Sequence, residues 1–167
     1  MKSHLLRLAG ISRVIAGGLI FLVGLVPAVA GQQYIYGWLE EVKLKEAGVV
    51  MEAKLDTGAD NSSVHAPDAE SFEKDGKTWV RFTLQGIDGK PVEKTLPLVR
   101  QTSIRRHGRE PAIRYVVRMT LQIGEVDREV EVNLADRENF DYPLLIGRSF
   151  LEGRILVDSA RAFTLRD

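Results

Sequence analysis

The sequence predicts a small all-β barrel or sandwich, because its dominant hydrophobic period is two residues and helical segments are scarce. In residues 117–123 apolar and polar side chains alternate, and Gly124 then marks a turn. Residues 130–134 alternate in the same way, so the two segments predict a half-buried antiparallel hairpin. A domain used only for binding has the same periodicity, so the pattern predicts the fold class and leaves the function open.

The remaining elements are predicted from short apolar alternations that lie between turn residues. Further strands are predicted at residues 36–44, 49–55, 79–84, 92–98 and 155–157. The turn signals are Ala47-Gly48, Asp75-Gly76, Asp88-Gly89 and Gly108, and residues 102–112 are predicted to form an added loop. One short helix is predicted from Arg148 to about Glu152, where Gly153 ends it.

The first 30 residues have the layout of a secretory signal peptide. Basic residues precede an apolar run at residues 14–26, and Ala28-Val29-Ala30 supplies small residues for cleavage. The run is shorter than the roughly 20 residues that span a bilayer. We expect cleavage after Ala30 and a periplasmic or secreted domain at residues 31–167. The alternative is an uncleaved anchor in the inner membrane, and membrane contact is expected only in that case.

The amino-acid composition excludes some kinds of site and argues against one class of partner. The chain has no cysteine, so it has neither a disulfide framework nor a thiolate nucleophile or ligand. Its formal net charge is zero, which argues against a general nucleic-acid binder.

Two separated motifs are candidates for chemistry. The first is Leu55-Asp56-Thr57-Gly58-Ala59-Asp60, in which an aspartate follows a predicted strand and enters a tight turn. The second is Leu144-Leu145-Ile146-Gly147-Arg148, far downstream. A rigid turn at a strand end can hold a carboxylate in one place, which catalysis requires. An ordinary turn has the same composition, so the first motif alone does not decide between them.

Together the two motifs resemble those of the retropepsin-like aspartic peptidases, over roughly residues 36–165. The chain is most similar to the bacterial branch labelled ATP-dependent zinc protease, which is associated with RimK-type glutamate ligases. The resemblance implies a small closed barrel with one short C-terminal helix beneath the active-site loop. It also implies that Asp56, Thr57 and Gly58 form the catalytic loop.

Aspartic proteolysis needs two carboxylates that share one proton around a water molecule. The chain has one Asp-Thr-Gly sequence, so the simplest arrangement is a homodimer in which Asp56 meets its counterpart. The resemblance implies that Thr57 hydrogen-bonds across the pair, and Gly58 is expected to let the substrate backbone approach. Alternatively, Asp158-Ser159-Ala160 is a degenerate second loop in a monomer, or an ordinary turn at a strand end.

The resemblance also implies a substrate-binding set: Ala59, Asp60, Gly86, Ile87 and Arg148. Arg148 is expected to brace Asp60 from the helix, although both are alternatively ordinary surface charges. A flap over the substrate is expected between Trp79 and Leu98, with residues 85–89 at its tip.

A cluster of basic residues occurs in and around the predicted added loop. Its members are Arg100, Arg105, Arg106, His107, Arg109, Arg114 and Arg118. Beside a cleft, such a patch would attract acidic peptides. The alternatives are a solvated loop and a contact with anionic lipid headgroups.

The family label raises zinc and ATP, and the residues support neither. Only His65 and His107 follow the signal segment, and there is no His-Glu-x-x-His or phosphate-binding loop. We therefore expect no metal and no cofactor. The predicted function is a homodimeric aspartic endopeptidase. The main rival is a non-catalytic barrel that binds a peptide or protein partner, and a metal-dependent hydrolase is a more distant one.

Overall fold

The computed structural model of the chain describes residues 31–106 and 109–166. The predicted signal segment, His107 and Gly108 lie outside the described residues, and the side chains of residues 104–112 are not described. Within the described ranges, the model contains no helix with the length and apolar character needed to cross a membrane.

The described residues contain twelve strands and one short helix. In chain order they are β1 Tyr34–Gly37, β2 Leu39–Leu44, β3 Val49–Leu55, β4 Ser62–His65, β5 Glu70–Lys74, β6 Lys77–Gln85, β7 Pro91–Pro97, β8 Arg100–Arg106, β9 Arg109–Ile123, β10 Val126–Ala135, β11 Leu144–Ile146, α1 Arg148–Leu151 and β12 Ile155–Asp158. The predicted all-β class with one C-terminal helix is confirmed.

Six strands close into a barrel. Their order is β10-β4-β11-β3-β2-β9, and β9 pairs again with β10 to complete the ring. On β3 the residues Val49, Met51, Ala53 and Leu55 are buried while those between them are at least partly exposed, as the period of two predicts. The barrel therefore contains the core and places the carboxyl end of β3 beside β11.

Two smaller sheets adjoin the barrel. Strands β5, β6 and β7 form an antiparallel sheet whose residues Val80, Phe82 and Leu84 are buried in the common core. Strands β1 and β12 pair in parallel, so both ends of the domain lie in one two-stranded sheet.

A buried carboxylate holds the C-terminal segment in place. Glu40 is fully buried, and its Oε1 accepts hydrogen bonds from the backbone of Gly37 and from both the backbone and the hydroxyl of Thr164. Buried carboxylates need such partners, because removing a charge from water is costly. The sequence gives no sign of this role, since residue 40 lies in an ordinary alternating strand.

The predicted elements were mostly confirmed, with two corrections. The predicted strand at residues 36–44 is interrupted at Trp38 and forms β1 and β2. The predicted added loop at residues 102–112 is also wrong, because β8 continues to Arg106, β9 begins at Arg109, and the two strands pair within this segment. Strands β4, β5, β8 and β11 were missed because they are short or polar, so their hydrophobic alternation is weak.

Candidate active site

The Asp56 carboxylate is held at the carboxyl end of β3. Its backbone N–H donates to Ile146 O at 2.8 Å, which joins the loop to β11. Its Oδ1 accepts a hydrogen bond from the backbone N–H of Gly58 at 2.9 Å, and its Oδ2 lies 3.8 Å from Lys54 Nζ. The side chain is 28% exposed, so the carboxylate is oriented but accessible.

The start of helix α1 supports the loop from below. Arg148 and Ser149 donate their backbone N–H groups to Ala59 O at 2.8 Å and Asp60 O at 3.0 Å. Gly147, which precedes the helix, makes this contact possible: a Cβ there would lie 2.6 to 2.9 Å from backbone atoms of Asn61. The two sequence motifs therefore meet in space, as the resemblance implied.

The side chain of Arg148 makes a second set of contacts with the loop. Its Nη1 donates to Thr57 O at 3.0 Å, and its Nη2 forms an ion pair with the Asp60 carboxylate. An exposed ion pair contributes less than about 1 kcal/mol, but the bond to the Thr57 carbonyl also limits how the loop can move. The predicted contact between Arg148 and Asp60 is present, whereas substrate binding by Asp60 stays a prediction.

Thr57 and Gly58 are exposed next to the carboxylate. The Thr57 hydroxyl has no hydrogen-bond partner in the described part of the chain, which leaves it available to another molecule. A Cβ at Gly58 would lie 3.2 Å from Asp56 Oδ1. Glycine at this position therefore keeps the carboxylate free from crowding, in addition to the substrate approach that the sequence predicts.

Gly86 and Ile87 lie away from Asp56. The backbone N–H of Ile87 donates to Val50 O at 2.9 Å, and a Cβ at Gly86 would lie 2.9 Å from that same oxygen. Val50 precedes Asp56 by six residues on an extended strand, a separation of about 20 Å. The predicted flap tip at residues 85–89 is therefore wrong, because this turn is tied to the opposite end of β3.

A different hairpin projects beside the site. Residues 116–123 of β9 pair with β10, but the first part of that strand pairs only with β8 and continues past the barrel wall. The turn between β8 and β9 lies outside the described residues. This hairpin is the segment that the sequence presented as an added loop.

One row of side chains connects this hairpin to the Asp56 loop. Residues directly opposite each other on paired strands share a face of the sheet. The strand registers give the row Lys54, Leu145, Ser63, Asn133, Val116 and Arg100. Asp56 lies just beyond the end of β3, two residues after Lys54, so one end of this row is beside the Asp56 loop.

Arg137 is a cleft residue that the sequence reasoning missed. Its Nη1 donates to Ser63 Oγ at 2.8 Å and its Nε donates to Tyr142 O at 3.1 Å. Burial is the main cause that lowers the pKa of Arg137; the charge of Arg114 lowers it further, and Asp56 acts in the opposite direction. Arg114 and Asp56 are thus each close enough to influence the charge of Arg137. A lone arginine in a polar loop carried no signal of this position.

The predicted arginine patch is partly neutralised. Arg100 forms an ion pair with Glu131 at 2.8 Å, and Arg118 forms one with Glu129 at 3.6 Å. The side chains of Arg105, Arg106 and Arg109 are not described, and His107 lies outside the described residues. Among described side chains, the positive charges nearest the loop come instead from Lys54, Arg137 and Arg148.

Two other candidate residues have structural partners. His65 Nδ1 accepts the backbone N–H of Arg137 at 2.9 Å, and no group of three metal-binding side chains occurs in the described ranges. Asp158 accepts the backbone N–H of Ala160 and pairs with Arg161 in its own turn, and the Ala160 bond is the main cause that lowers the pKa of Asp158. These bonds are those of an ordinary turn at a strand end.

Comparison with known proteins agrees with this geometry. A family model described as "Retropepsin-like aspartic endopeptidase RimB" matches residues 35–167. The chain belongs to this RimB-like family. A solved Legionella pneumophila protein of unknown function (DUF785) has the same fold, with a TM-score of 0.66 and 33% identity. That comparison covers 79% of this chain and 98% of the Legionella protein.

The RimB-like chain also resembles longer proteins. A "Probable alpha-L-glutamate ligase" from Shewanella pealeana is 30% identical over 82% of this chain and 31% of its own length. One of the same name from Parasynechococcus marenigrum is 32% identical over 70% of this chain and 26% of its own length. The chain therefore spans less than a third of these relatives, and the predicted link to the glutamate-ligase branch is confirmed as a resemblance.

Proposed function

We propose that this protein is an aspartic endopeptidase that hydrolyses peptide bonds as a homodimer. The observation that carries the proposal is the Asp56 carboxylate, which the Gly58 N–H orients while a loop supported by α1 keeps it accessible. Membership in the RimB-like family supports the same chemistry. One such carboxylate is half of the required pair, and a second protomer supplies the other half.

The reaction follows from two facing carboxylates with one shared proton. The ionised Asp56 takes a proton from a water molecule, and the water oxygen attacks the scissile carbonyl carbon. The protonated Asp56 of the other protomer donates its hydrogen bond to the carbonyl oxygen as negative charge develops there. Proton transfer to the amide nitrogen then lets the C–N bond break.

Exposed groups on one protomer fit a two-fold interface. The Thr57 hydroxyl lacks a partner within the described residues, next to the carboxylate that must meet its counterpart. Ile35 and Leu156 are directly paired on β1 and β12 and are 57% and 51% exposed. We propose that this apolar pair packs against its copy, and that the β8–β9 hairpin acts as the flap.

The interface is tested by replacing Ile35 with lysine. We expect the charge to weaken the dimer and to lower peptidase activity in proportion, because each site needs both protomers. Sedimentation and activity are measured over the same range of protein concentration. The matched control is Ile87→Lys, which alters an equally exposed residue on the distant turn. A fully active monomer would contradict the homodimer.

The charges in the cleft favour acidic peptides as substrates. Lys54 lies beside Asp56, and Arg137 and Arg148 lie close to the same loop. The relatives named as glutamate ligases offer a second line of support, since such enzymes handle glutamate. These charges raise the local concentration of anionic substrate and the rate of encounter at low salt.

The proposed chemistry is tested by the pH dependence of cleavage and by a chelator. Activity on an unstructured acidic peptide should fall as pH rises, because the carboxylate pair loses its shared proton. EDTA should leave the rate unchanged. Loss of activity in EDTA with recovery in zinc would favour the metal-dependent hydrolase. Affinity without turnover at every pH would favour the non-catalytic binding domain.

A further inference from the structure

The Arg137 guanidinium is a buried charge, and none of the described side chains forms an ion pair with it. The residue is 8% exposed, and its side chain bonds to the Ser63 hydroxyl and to the Tyr142 carbonyl oxygen. The Phe140 ring lies 4.5 Å from the guanidinium carbon. None of these groups is an anion, and among the side chains that the structure describes, residues 31–103 and 113–166, no carboxylate lies within ion-pair distance of the guanidinium; Asp56 acts on it only from farther away.

Burying this guanidinium lowers the stability of the fold unless an anion binds to it. Buried charges in proteins are normally paired, because desolvation without compensation is expensive. The Nη2 nitrogen of Arg137 makes no hydrogen bond within the described residues, so it keeps donors for another molecule. Burial is the main cause that lowers the pKa of Arg137; the positive charge of Arg114 lowers it further, and Asp56 acts in the opposite direction.

The position of Arg137 relative to Asp56 determines how far from the scissile bond an anion bound by Arg137 would lie. Ser63 is separated from Lys54 by one strand, β11, which corresponds to about 10 Å across the sheet. Arg137 contacts Ser63, and Asp56 follows Lys54 closely in the chain. An extended peptide advances about 3.3 Å per residue. A group bound by Arg137 thus belongs to a residue within about three positions of the scissile bond.

We propose that Arg137 is a specificity-determining residue that binds a carboxylate of the peptide within three residues of the scissile bond. The carboxylate belongs either to an aspartate or glutamate side chain or to the C-terminus of the peptide. This assignment rests on the proposed peptidase function, since it concerns the same cleft. The bonds to Ser63 and Tyr142 hold the planar guanidinium in one orientation, which suits bidentate recognition of a carboxylate.

The contacts also explain why arginine is required. Lysine carries the same charge but lacks the planar fork, so Arg137→Lys cannot keep both structural bonds and also bind a carboxylate bidentately. Arg137→Gln removes the charge and leaves polar atoms near Ser63. Arg81→Gln is the matched control, because it removes an exposed arginine that pairs with Glu70 on the smaller sheet. Thermal melts identify any variant that fails to fold.

The experiment compares peptides that differ in one carboxylate. The substrates are quenched fluorescent peptides of mixed sequence. In this series each position near the cleaved bond holds Glu or Gln in turn, and each peptide is made with a free and with an amidated C-terminus. For the wild type we expect a higher kcat/KM with one added carboxylate, either Glu at one position or the free C-terminus. Arg137→Gln should reduce kcat/KM for the peptide that carries this carboxylate about 10- to 100-fold more than for the peptide that lacks it. Arg137→Lys should retain only part of the preference, and Arg81→Gln all of it.

The possible outcomes distinguish a side-chain carboxylate from the C-terminal carboxylate. They also distinguish failure of the carboxylate site from failure of the peptidase function. If only amidation lowers kcat/KM of the wild type, the bound group is the C-terminal carboxylate; if a Glu→Gln change at one position lowers it, the bound group is a side chain. A preference that persists fully in folded Arg137→Gln overturns the assignment. Binding of the same peptides to Asp56→Asn, measured by calorimetry, is independent of turnover. Arg137-dependent binding without cleavage by the wild type would reject the peptidase and keep the carboxylate site.

Discussion

Replacing Asp56 by asparagine is expected to lower the rate of peptide cleavage by about 10³-fold or more. Asparagine has nearly the same shape, and its side-chain oxygen can still accept the bond from Gly58 N–H. It cannot take a proton from water, so the acid–base step is lost while the loop stays in place. Cleavage is measured on an acidic peptide under single-turnover conditions, and folding by circular dichroism.

The matched control is Asp158→Asn. Asp158 also follows a strand, but its carboxylate bonds to Ala160 and Arg161 in its own turn. We expect this variant to retain activity within a few-fold. Loss of cleavage in both variants would support an intramolecular pair of the two aspartates in a monomer. Full activity of Asp56→Asn would reject the aspartic mechanism altogether.

Replacing Gly147 by alanine is expected to destabilise the domain by about 3 kcal/mol, which corresponds to a fall of about 10 °C in melting temperature. The added Cβ would lie 2.6 to 2.9 Å from three backbone atoms of Asn61. A backbone cannot rotate away as a side chain can, so the loop and helix must separate. Because the Asp56 loop is held by the same helix, activity should fall even below the melting temperature.

Ser149→Ala is the control within the same short helix. The Ser149 hydroxyl is buried and has no hydrogen-bond partner among the described residues, so its removal should be neutral or slightly stabilising. Both variants are compared by thermal and urea unfolding. A Gly147→Ala protein as stable as the wild type would show that the loop and helix are not in tight contact.

Local patterns were sufficient to predict β3, the β9–β10 hairpin and helix α1. In these segments burial alternates cleanly, and turn residues mark the ends; Gly124 has a φ of 51°, as a turn glycine should. The polar strands β5 and β8 have no such alternation. Their hydrogen bonds to the neighbouring strands β6 and β9 stabilise them, whatever the polarity of their own side chains.

The flap prediction failed for a related reason. Both the turn at residues 85–89 and the β8–β9 hairpin are turn-rich connections, and sequence alone does not show which one lies beside the cleft. The decisive fact is the bond from Ile87 N–H to Val50 O, which ties the first turn to the distant end of β3. That bond depends on how the smaller sheet packs against the barrel.

The sequence was enough to identify Asp56 as the candidate catalytic group, because its strand, turn and glycine are neighbours in the chain. The sequence also predicts, from its single Asp-Thr-Gly, that the group is half of a pair. Only the tertiary structure showed that Arg137 bonds to Ser63, one strand away from Lys54, and that Gly147 lies against the backbone of Asn61. Those relations arise from strand register and close packing between residues far apart in sequence, which no local pattern encodes.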